Sequence, residues 1–355
     1  MKRIFRIITV SSILIMLISS VSYAQQRPTR VGTTTAAFLE YCYGGVGIAM
    51  GDACVSHVSD ITALYWNPAG MAFMPQSEAQ FVHQPWLVDI NSTFVGVGLV
   101  VPEVGTIGIG VIHVGYGDME VTTVGMQEGT GEFFSVNDYA FSLGFARRLT
   151  DWFSFGFAAK YITSSIWHMD ASAFAMDMGV VVKTPFFAPG DDRNGGLRIG
   201  MSIANYGNRM QYDGQDLINP IDILPDENGN YNNASGKFNL SEWELPLIFR
   251  IGMSYDIRMM ENHTVTLSTD ALHPNNSAEY VNMGAQYALV NPSFGKFFLR
   301  GGYTKLFLPD SEFGLTLGAG FEKSFLGNLG IKFDYAYREV GVLGKVNSFA
   351  IGFLF

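Results

Sequence analysis

The chain has 355 residues, of which 15% are charged and 14% are aromatic, and it contains 40 glycines. A soluble domain usually has about 25% charged residues, so this composition favours a surface that faces lipid. The formal net charge of -10, without a cluster of Lys and Arg, excludes a nucleic-acid partner, because surfaces that bind nucleic acid are basic.

Residues 1–24 have the parts of a signal peptide. Three basic residues precede an apolar run that is too short for a membrane-spanning helix. Ser22 and Ala24 stand at the small-residue positions of a cleavage site. We therefore predict export with cleavage near Ala24, which leaves 19 basic and 32 acidic residues in the mature chain.

Residues 25–76 do not alternate and are rich in small side chains, as in "GGVGIAMGDA" at residues 44–53. Small side chains let backbones approach closely, which suits a plug held inside a barrel. Residues 67–70, "NPAG", are a turn signal in which Pro fixes φ and Gly is free to take a positive φ. We predict that this turn ends the plug and directs the chain into the first strand.

Cys42 and Cys54 are the two cysteines of the chain. In an exported protein they could form a disulfide, and they could equally be two small buried apolar residues. The sequence leaves both alternatives open.

From about residue 77 onward, apolar and polar residues alternate with a period of two. In "NLGIKFDYAYR" (residues 328–338), Phe333 and Tyr335 share one face, and Lys332 and Asp334 share the other. A soluble, half-buried sheet also alternates. However, no soluble core could bury so many mid-strand charges, whereas the lumen of a membrane barrel could. Residues 77–355 are therefore predicted to form an all-β, transmembrane antiparallel β-barrel.

Fourteen segments carry this alternation, an even number as in bacterial outer-membrane barrels. They are 77–85, 92–101, 104–115, 136–149, 151–163, 171–184, 194–206, 246–257, 263–272, 278–288, 296–305, 312–323, 327–338 and 345–355. If the barrel sequence begins and ends on the periplasmic side, every second connection between strands should be a short periplasmic turn. Residues 116–135 and 207–245 should be the long external loops.

The long loop at residues 207–245 is a candidate partner-docking surface, because loops of this length are commonly functional. It mixes acidic residues with apolar ones that could be exposed, and a docking surface needs apolar anchors within a polar rim. The alternative is a self-packed lid over the barrel mouth. The candidate anchors are Ile218, Ile221, Ile223, Leu224, Leu240 and Trp243.

The segment "FLEYCYGGVGIAMGDACVSHVSDITALYWNPAGMA" (residues 38–72) resembles the N-terminal signature of the PorV/PorQ family of outer-membrane proteins. Departures from the family pattern are Gly47 for Arg, Asp52 for Gly, Cys54 for an aromatic residue and Ser59 for Asp. The C-terminal third also resembles the family, through "LRGGY", "DYAY" and "GVLGKVNSFAIGFLF". The residues that match the signature are Gly45, Ala49, Met50, Gly51, Ala53, Val55, Asp60, Ala63, Asn67, Pro68, Ala69 and Gly70.

The resemblance implies a FadL-like barrel of fourteen strands with an N-terminal plug. The best-known members of the family serve the type IX secretion system of the Bacteroidota. They receive cargo from the translocon and carry it to a cell-surface attachment complex, with no chemistry of their own. The resemblance therefore implies a protein partner and no cofactor.

Two main hypotheses follow. The first is a non-enzymatic outer-membrane barrel that contacts lipid and binds a secretion translocon or its cargo. The alternative is a FadL-like channel for long-chain fatty acids or other hydrophobic small molecules, and a third is a purely structural barrel. The polar lumen favours the first. The six histidines are scattered without ligand spacing, so we predict neither a metal site nor a catalytic site.

Overall fold

The structure is a computed structural model, and it describes residues 30–88, 90–188, 195–226, 233–325 and 329–355. The predicted signal peptide lies outside the described residues. The helical turns are short: α1 (Gly45–Ala49), α2 (Ala63–Trp66), and 3-10 turns at Ala37–Glu40, Pro68–Phe73, Gln215–Leu217 and Gly341–Leu343. None of the helices in these ranges is long and apolar enough to cross a membrane.

Strands account for most of the remaining described chain. They are β1 (Glu78–Pro85), β2 (Asn91–Val101), β3 (Gly105–Glu120), β4 (Phe133–Thr150), β5 (Phe153–Ile166), β6 (Met169–Lys183), β7 (Arg198–Gly207), β8 (Asp213–Gly214), β9 (Ile218–Ile221), β10 (Ala234–Lys237), β11 (Ile248–Met260), β12 (His263–Pro274), β13 (Tyr280–Asn291), β14 (Gly295–Leu306), β15 (Leu315–Ser324), β16 (Gly330–Glu339) and β17 (Lys345–Leu354).

Fourteen of these strands, β1–β7 and β11–β17, form one closed antiparallel barrel. Each pairs with its neighbours in chain order, β7 pairs with β11, and β1 pairs with β17 to close the sheet. The predicted fold class is confirmed, and each of the fourteen predicted strands overlaps one barrel strand. The predicted external loop at 116–135 is too long, because β3 and β4 continue pairing beyond a bulge until Glu120 meets Phe133.

The alternation places apolar side chains outside the barrel and charged ones inside, as predicted. On β16, Phe333 is 43% exposed on the outer face, whereas its neighbour Lys332 is 8% exposed on the inner face. Because a membrane barrel has lipid outside and an enclosed interior, this is the arrangement that its strands require. The N-terminal segment, which we define as residues 30–76, contacts the inner faces of strands around most of the barrel.

The first and last strands meet at one end of the barrel. Phe355 donates its backbone N–H to the carbonyl of Ser77 (2.9 Å), and Glu78 lies opposite Leu354. At this end, which is predicted to be periplasmic, most connections are tight, such as 102–104, 151–152 and 292–294. The connection between β6 and β7 departs from the prediction of short turns. It is longer than the other turns at this end, and Thr184 and Leu197 continue the pairing of the two strands at its base.

Candidate functional site

One side of the lumen is lined by glycines, and we call the inner face of β3–β6 the glycine wall. A Cβ on Gly156 would lie 2.5 Å from the backbone nitrogen of Ala69, so only glycine lets the two backbones approach this closely. The buried side chains of Leu64 and Met71 fill the space over Gly144. The N-terminal segment is therefore held on this side by dry, close packing.

Asn67 connects the N-terminal segment to this wall. Its side-chain oxygen accepts a hydrogen bond from the backbone nitrogen of Ala69 (3.1 Å), and its amide donates to the carbonyls of Val55 (2.8 Å) and Val180 (3.1 Å). The predicted turn at "NPAG" is in fact the start of the 3-10 turn Pro68–Phe73, with Asn67 as its N-cap and Pro at the first position.

Gly70 does not have the positive φ that the turn signal suggested. Glycine is required there for a different reason, because a Cβ would collide with the carbonyl oxygen of Val58 and lie 3.1 Å from the Ala63 side chain. The close approach of two parts of the N-terminal segment, rather than a left-handed backbone, explains this glycine.

On the opposite side of the lumen, buried ions contact the N-terminal segment, and we call the inner face of β14–β16 the charged wall. The glycine wall also has a buried ion pair, Lys160 with Asp177 (2.6 Å), but both side chains bond to Asn205 of β7.

On the charged wall, Lys332 Nζ lies 2.5 Å from Asp60 Oδ2 of the N-terminal segment and 3.6 Å from Glu78 Oε1. Arg300 Nη1 lies 2.6 Å from Asp334 Oδ1. All five side chains are buried, so each charge depends on its neighbours for compensation.

A further ion pair on this wall joins Asp52 to Arg338. Asp52, which also accepts a hydrogen bond from the Thr304 hydroxyl (3.0 Å), has a positive φ of 63°. Sequence reasoning noted Asp52 as a departure from the family pattern but missed its partner. The signal that could have identified this partner is Arg338, a basic residue on the small-residue face of β16.

Four further signature residues lie together against β13–β16, namely Gly45, Ala49, Met50 and Gly51. A Cβ on Gly51 would lie 2.6 Å from the Met283 carbonyl, and Ala49 and Met50 cover Gly318 and Gly284. The structure thus brings the predicted motif residues into one buried body within the lumen: Gly45, Ala49, Met50, Gly51, Ala53, Asp60, Asn67, Pro68, Ala69 and Gly70.

His57 is held neutral inside the barrel. Both ring nitrogens are buried without a hydrogen-bond partner. Burial, assisted by the nearby Arg198 guanidinium, lowers the pKa of His57 to about 3. Cys42 and Cys54 are free thiols rather than a disulfide, and burial raises the pKa of Cys42 to about 12.

The described parts of the long loop between β7 and β11 extend the barrel at the opposite end from the pairing of Phe355 with Ser77. Met210 and Trp243 exchange two backbone hydrogen bonds of 2.9 Å at its base. Beyond them, β8 adds to β6, and β9 pairs with β10 as a separate hairpin. The base of the loop is buried against the N-terminal segment through Met210 and Leu245, and the β9–β10 hairpin lies beyond it.

The six predicted docking residues are all exposed on this loop. Their exposed fractions run from 38% for Leu240 to 60% for Ile223. The structure brings Ile218 and Ile221 together on β9 and leaves Ile223 and Leu224 just beyond it. Trp243 lies apart at the base of the loop. Phe238, which the sequence did not single out, is 59% exposed beside β10.

No group of three or more His, Cys, Asp or Glu within the described ranges is placed to hold a metal ion. An apolar groove of about 590 Å³ runs across the lipid-facing side of β11–β14, lined by Met253, Leu267, Met283 and Tyr303 among others. It lies on the outer surface of the barrel.

The family model of the type IX secretion system protein PorV matches residues 23–226, more than half of the chain. The chain belongs to this family. It is accordingly an outer-membrane barrel linked to type IX secretion. Comparison with curated protein sequences gives no match.

Solved structures similar to this PorV-family chain are hydrocarbon channels and a FadL homologue. The Pseudomonas putida toluene transporter TodX is 12% identical with a TM-score of 0.54, and the match covers 88% of this chain and 96% of that chain. The CymD monoaromatic hydrocarbon channel has the same identity and coverage with a TM-score of 0.55. A Pseudomonas aeruginosa FadL homologue is 11% identical, with a TM-score of 0.50 and coverage of 88% and 98%. At these identities the likeness shows the fold alone.

Proposed function

We propose that this protein binds secreted cargo, or the translocon that delivers it, through the loop between β7 and β11, and passes the cargo on without chemistry of its own. The observation that supports this proposal most is the row of exposed apolar side chains on β9 and the residues that follow it. A large exposed apolar patch with a polar rim is typical of protein-interaction sites.

The surroundings of these anchors support a protein partner. Asp216 and Asp222 flank β9, and Glu242 and Glu244 lie at the base of the loop. Acidic side chains around apolar anchors form the polar rim of an interface, and they favour partners of opposite charge.

We also propose that residues 25–76 act as a plug. The N-terminal segment packs on the glycine wall and forms ion pairs with the charged wall, so moving it would break both kinds of contact. A closed lumen suits a docking protein, which needs an exposed surface and no continuous channel.

The alternative, a channel for fatty acids or other hydrophobic molecules, has less support. The similar structures are described as a toluene transporter and a monoaromatic hydrocarbon channel. In this chain, however, the described lumen contains buried ions around Lys332 and Arg338, and the large apolar groove lies on the outside.

Binding of cargo or translocon to loop variants tests the proposal. Replacing Ile221→Asp and Ile223→Asp together should reduce capture of the partner from detergent-solubilised outer membranes about tenfold or more, as expected for interface anchors. Val124→Asp is the matched control, because Val124 is 95% exposed on a different external loop. Undiminished capture by a variant lacking residues 212–240 would contradict the docking assignment.

Cleavage after Ala24 is a separate proposal. The intact mass of the protein isolated from outer membranes should correspond to a chain that begins at Gln25. A mass that includes residues 1–24 would overturn it.

A further inference from the structure

The β9–β10 hairpin is a sheet of its own and is not part of the barrel sheet. Each of its strands has four residues, Ile218–Ile221 and Ala234–Lys237, and within the described ranges they pair only with each other. A hairpin of two short strands is marginally stable in water, and a third strand or a packed face is needed to stabilise it. The described chain supplies no third strand, so the hairpin can accept one from another protein.

The pairing of the hairpin determines which backbone groups point away from it. Phe238 donates its N–H to the carbonyl of Leu217 (3.0 Å), which makes their positions a hydrogen-bonded pair. In an antiparallel ladder such pairs alternate with pairs whose N–H and C=O groups point outward. One register position further along, Lys237 falls in a pair of the second kind, and Ser235 falls in the next pair of that kind. Both residues therefore direct their N–H and C=O groups to the outer edge of β10.

The two outer edges of the hairpin differ in what they offer to another chain. On β9, Pro220 occupies the outward position opposite Ser235 and has no N–H, and proline is a common block on exposed edges. On β10, Ser235 and Lys237 are exposed, and no described residue forms a backbone hydrogen bond with either of them. The Lys237 ammonium pairs with Asp213, so its charge is compensated. We call the outer edge of β10 the open edge.

Apolar side chains border the open edge on one face of the hairpin. A Cβ on Gly236 would collide with Cδ1 of Ile221, so the Ile221 side chain lies across β10. Phe238 follows Gly236 by two residues and therefore lies on the same face, where it is 59% exposed. A strand added at the open edge would pair with the backbone of Ser235 and Lys237, and its side chains would cover these two apolar residues.

We propose that the partner binds this loop by strand addition, in which an extended segment of the cargo or the translocon pairs with the open edge as a third strand. This inference rests on the proposed docking function and specifies how the partner is held. In this mode, main-chain hydrogen bonds provide affinity and alternate side chains provide selectivity. The segment that fits has apolar residues at alternate positions, to cover Ile221 and Phe238. Asp216 and Asp222, which flank β9, favour basic residues beside them.

Two substitutions at residue 235 separate backbone pairing from side-chain contacts. Ser235→Pro removes the outward N–H, which takes no part in the pairing of β10 with β9. Ser235→Ala keeps that N–H and removes the hydroxyl, so it is the matched control. The probes are recombinant full-length cargo and the translocon purified in detergent, each titrated against the full-length protein. We expect the Kd of the probe that binds to rise about tenfold for Ser235→Pro and by less than about twofold for Ser235→Ala.

The docking variant Ile221→Asp with Ile223→Asp distinguishes two kinds of failure. If that variant loses binding while Ser235→Pro binds as the wild type does, the loop docks its partner through side chains alone. Strand addition is then overturned, and the docking function stands. If neither probe binds the wild type, or if both variants bind as the wild type does, the docking function and strand addition fail together. A dimer in detergent that Ser235→Pro dissociates would assign the open edge to a second copy of this chain, which overturns its assignment to a partner.

Amide hydrogen exchange resolved to single residues gives a readout that needs no substitution. In the free protein, the amides of Ser235 and Lys237 should exchange faster than that of Gly236, which points toward β9. Binding of the probe should slow exchange at Ser235 and Lys237, because both amides become hydrogen-bonded. In Ser235→Pro, unchanged exchange at Gly236 shows that the hairpin is intact. Exchange at Ser235 and Lys237 that is as fast in the complex as in the free protein would overturn the proposal.

Discussion

The two sides of the lumen share close packing on the N-terminal segment and differ in the buried ion pairs that one of them adds. On the glycine wall, Gly156 and its neighbours let backbone meet backbone without water. On the charged wall, Lys332 and Arg338 hold Asp60 and Asp52 as buried ion pairs. Close packing stabilises in proportion to the area covered, whereas a buried ion pair adds little net stability and is costly to break. The ion pairs of the charged wall therefore fix the position of the segment, and the close packing over Gly302 and Gly318 on the same wall adds to its binding.

The largest effect should come from removing one charge of the charged wall. Lys332→Met leaves Asp60 and Glu78 buried without compensation, so we expect the free energy of unfolding to fall by about 3–5 kcal/mol. Urea titration in detergent, followed by tryptophan fluorescence, measures this loss.

A triple variant gives the control for this prediction. Asp60→Asn and Glu78→Gln together with Lys332→Met remove the cation and both of the carboxylates that it compensates, so most of the lost stability should be recovered. A triple variant as unstable as the single one would show that this group does more than compensate charge.

On the glycine wall, two glycine-to-alanine substitutions should lower the free energy of unfolding by different amounts. Gly156→Ala places a methyl group against the backbone of Pro68 and Ala69, which cannot yield, so we expect a loss of about 1–3 kcal/mol. Gly144→Ala meets mainly the flexible ends of Leu64 and Met71 and should cost less. Unfolding free energies of the two variants test the contrast, and equal losses would contradict it.

His57 makes stability depend on pH. Its pKa is lowered to about 3 in the folded protein and is about 6.5 in the unfolded chain. The unfolded chain therefore binds one more proton between these values. Above pH 6.5 His57 is neutral in both states and does not affect the free energy of unfolding. Between pH 6.5 and about 3, His57 lowers the free energy of unfolding by at most about 1.4 kcal/mol per pH unit as the pH falls. The free energy of unfolding should be measured against pH for the wild type and for His57→Asn. The two curves should diverge below pH 6.5 by the contribution of His57. Parallel curves would contradict the prediction.

The smallest effect should come from the exposed pair Arg209–Glu244 at the base of the external loop. Exposed ion pairs contribute about 0–1 kcal/mol because water and salt screen them. Arg209→Ala should therefore leave the unfolding midpoint nearly unchanged. If Arg209→Ala lowered the free energy of unfolding as much as Lys332→Met does, burial in the lumen would not be what makes an ion pair important for stability.

The barrel could be predicted because its signal is local and repeated. Every barrel strand alternates between lipid and lumen, so a period of two is visible in each segment, as with Lys332 and Phe333 on β16. The ends of β3 and β4 were misplaced because their extension beyond the barrel depends on pairing between the two strands, which single-strand periodicity does not show.

The contacts of the lumen could be predicted much less well. The small residues of the signature indicated close packing, but Asp52 and Arg338 are far apart in sequence, and no periodicity joins them. The exposed anchors of the external loop were recognised from composition. Their arrangement on the β9–β10 hairpin depends on pairing that composition does not specify.

The hydrogen bond from Phe355 to Ser77 has a consequence for how the molecule is made. The seam between β1 and β17 joins the two ends of the barrel sequence. The wall around the N-terminal segment is therefore complete only when these distant parts of the chain have paired. Pairing between residues far apart in sequence is slow, so we expect closure of this seam to be a slow step of folding.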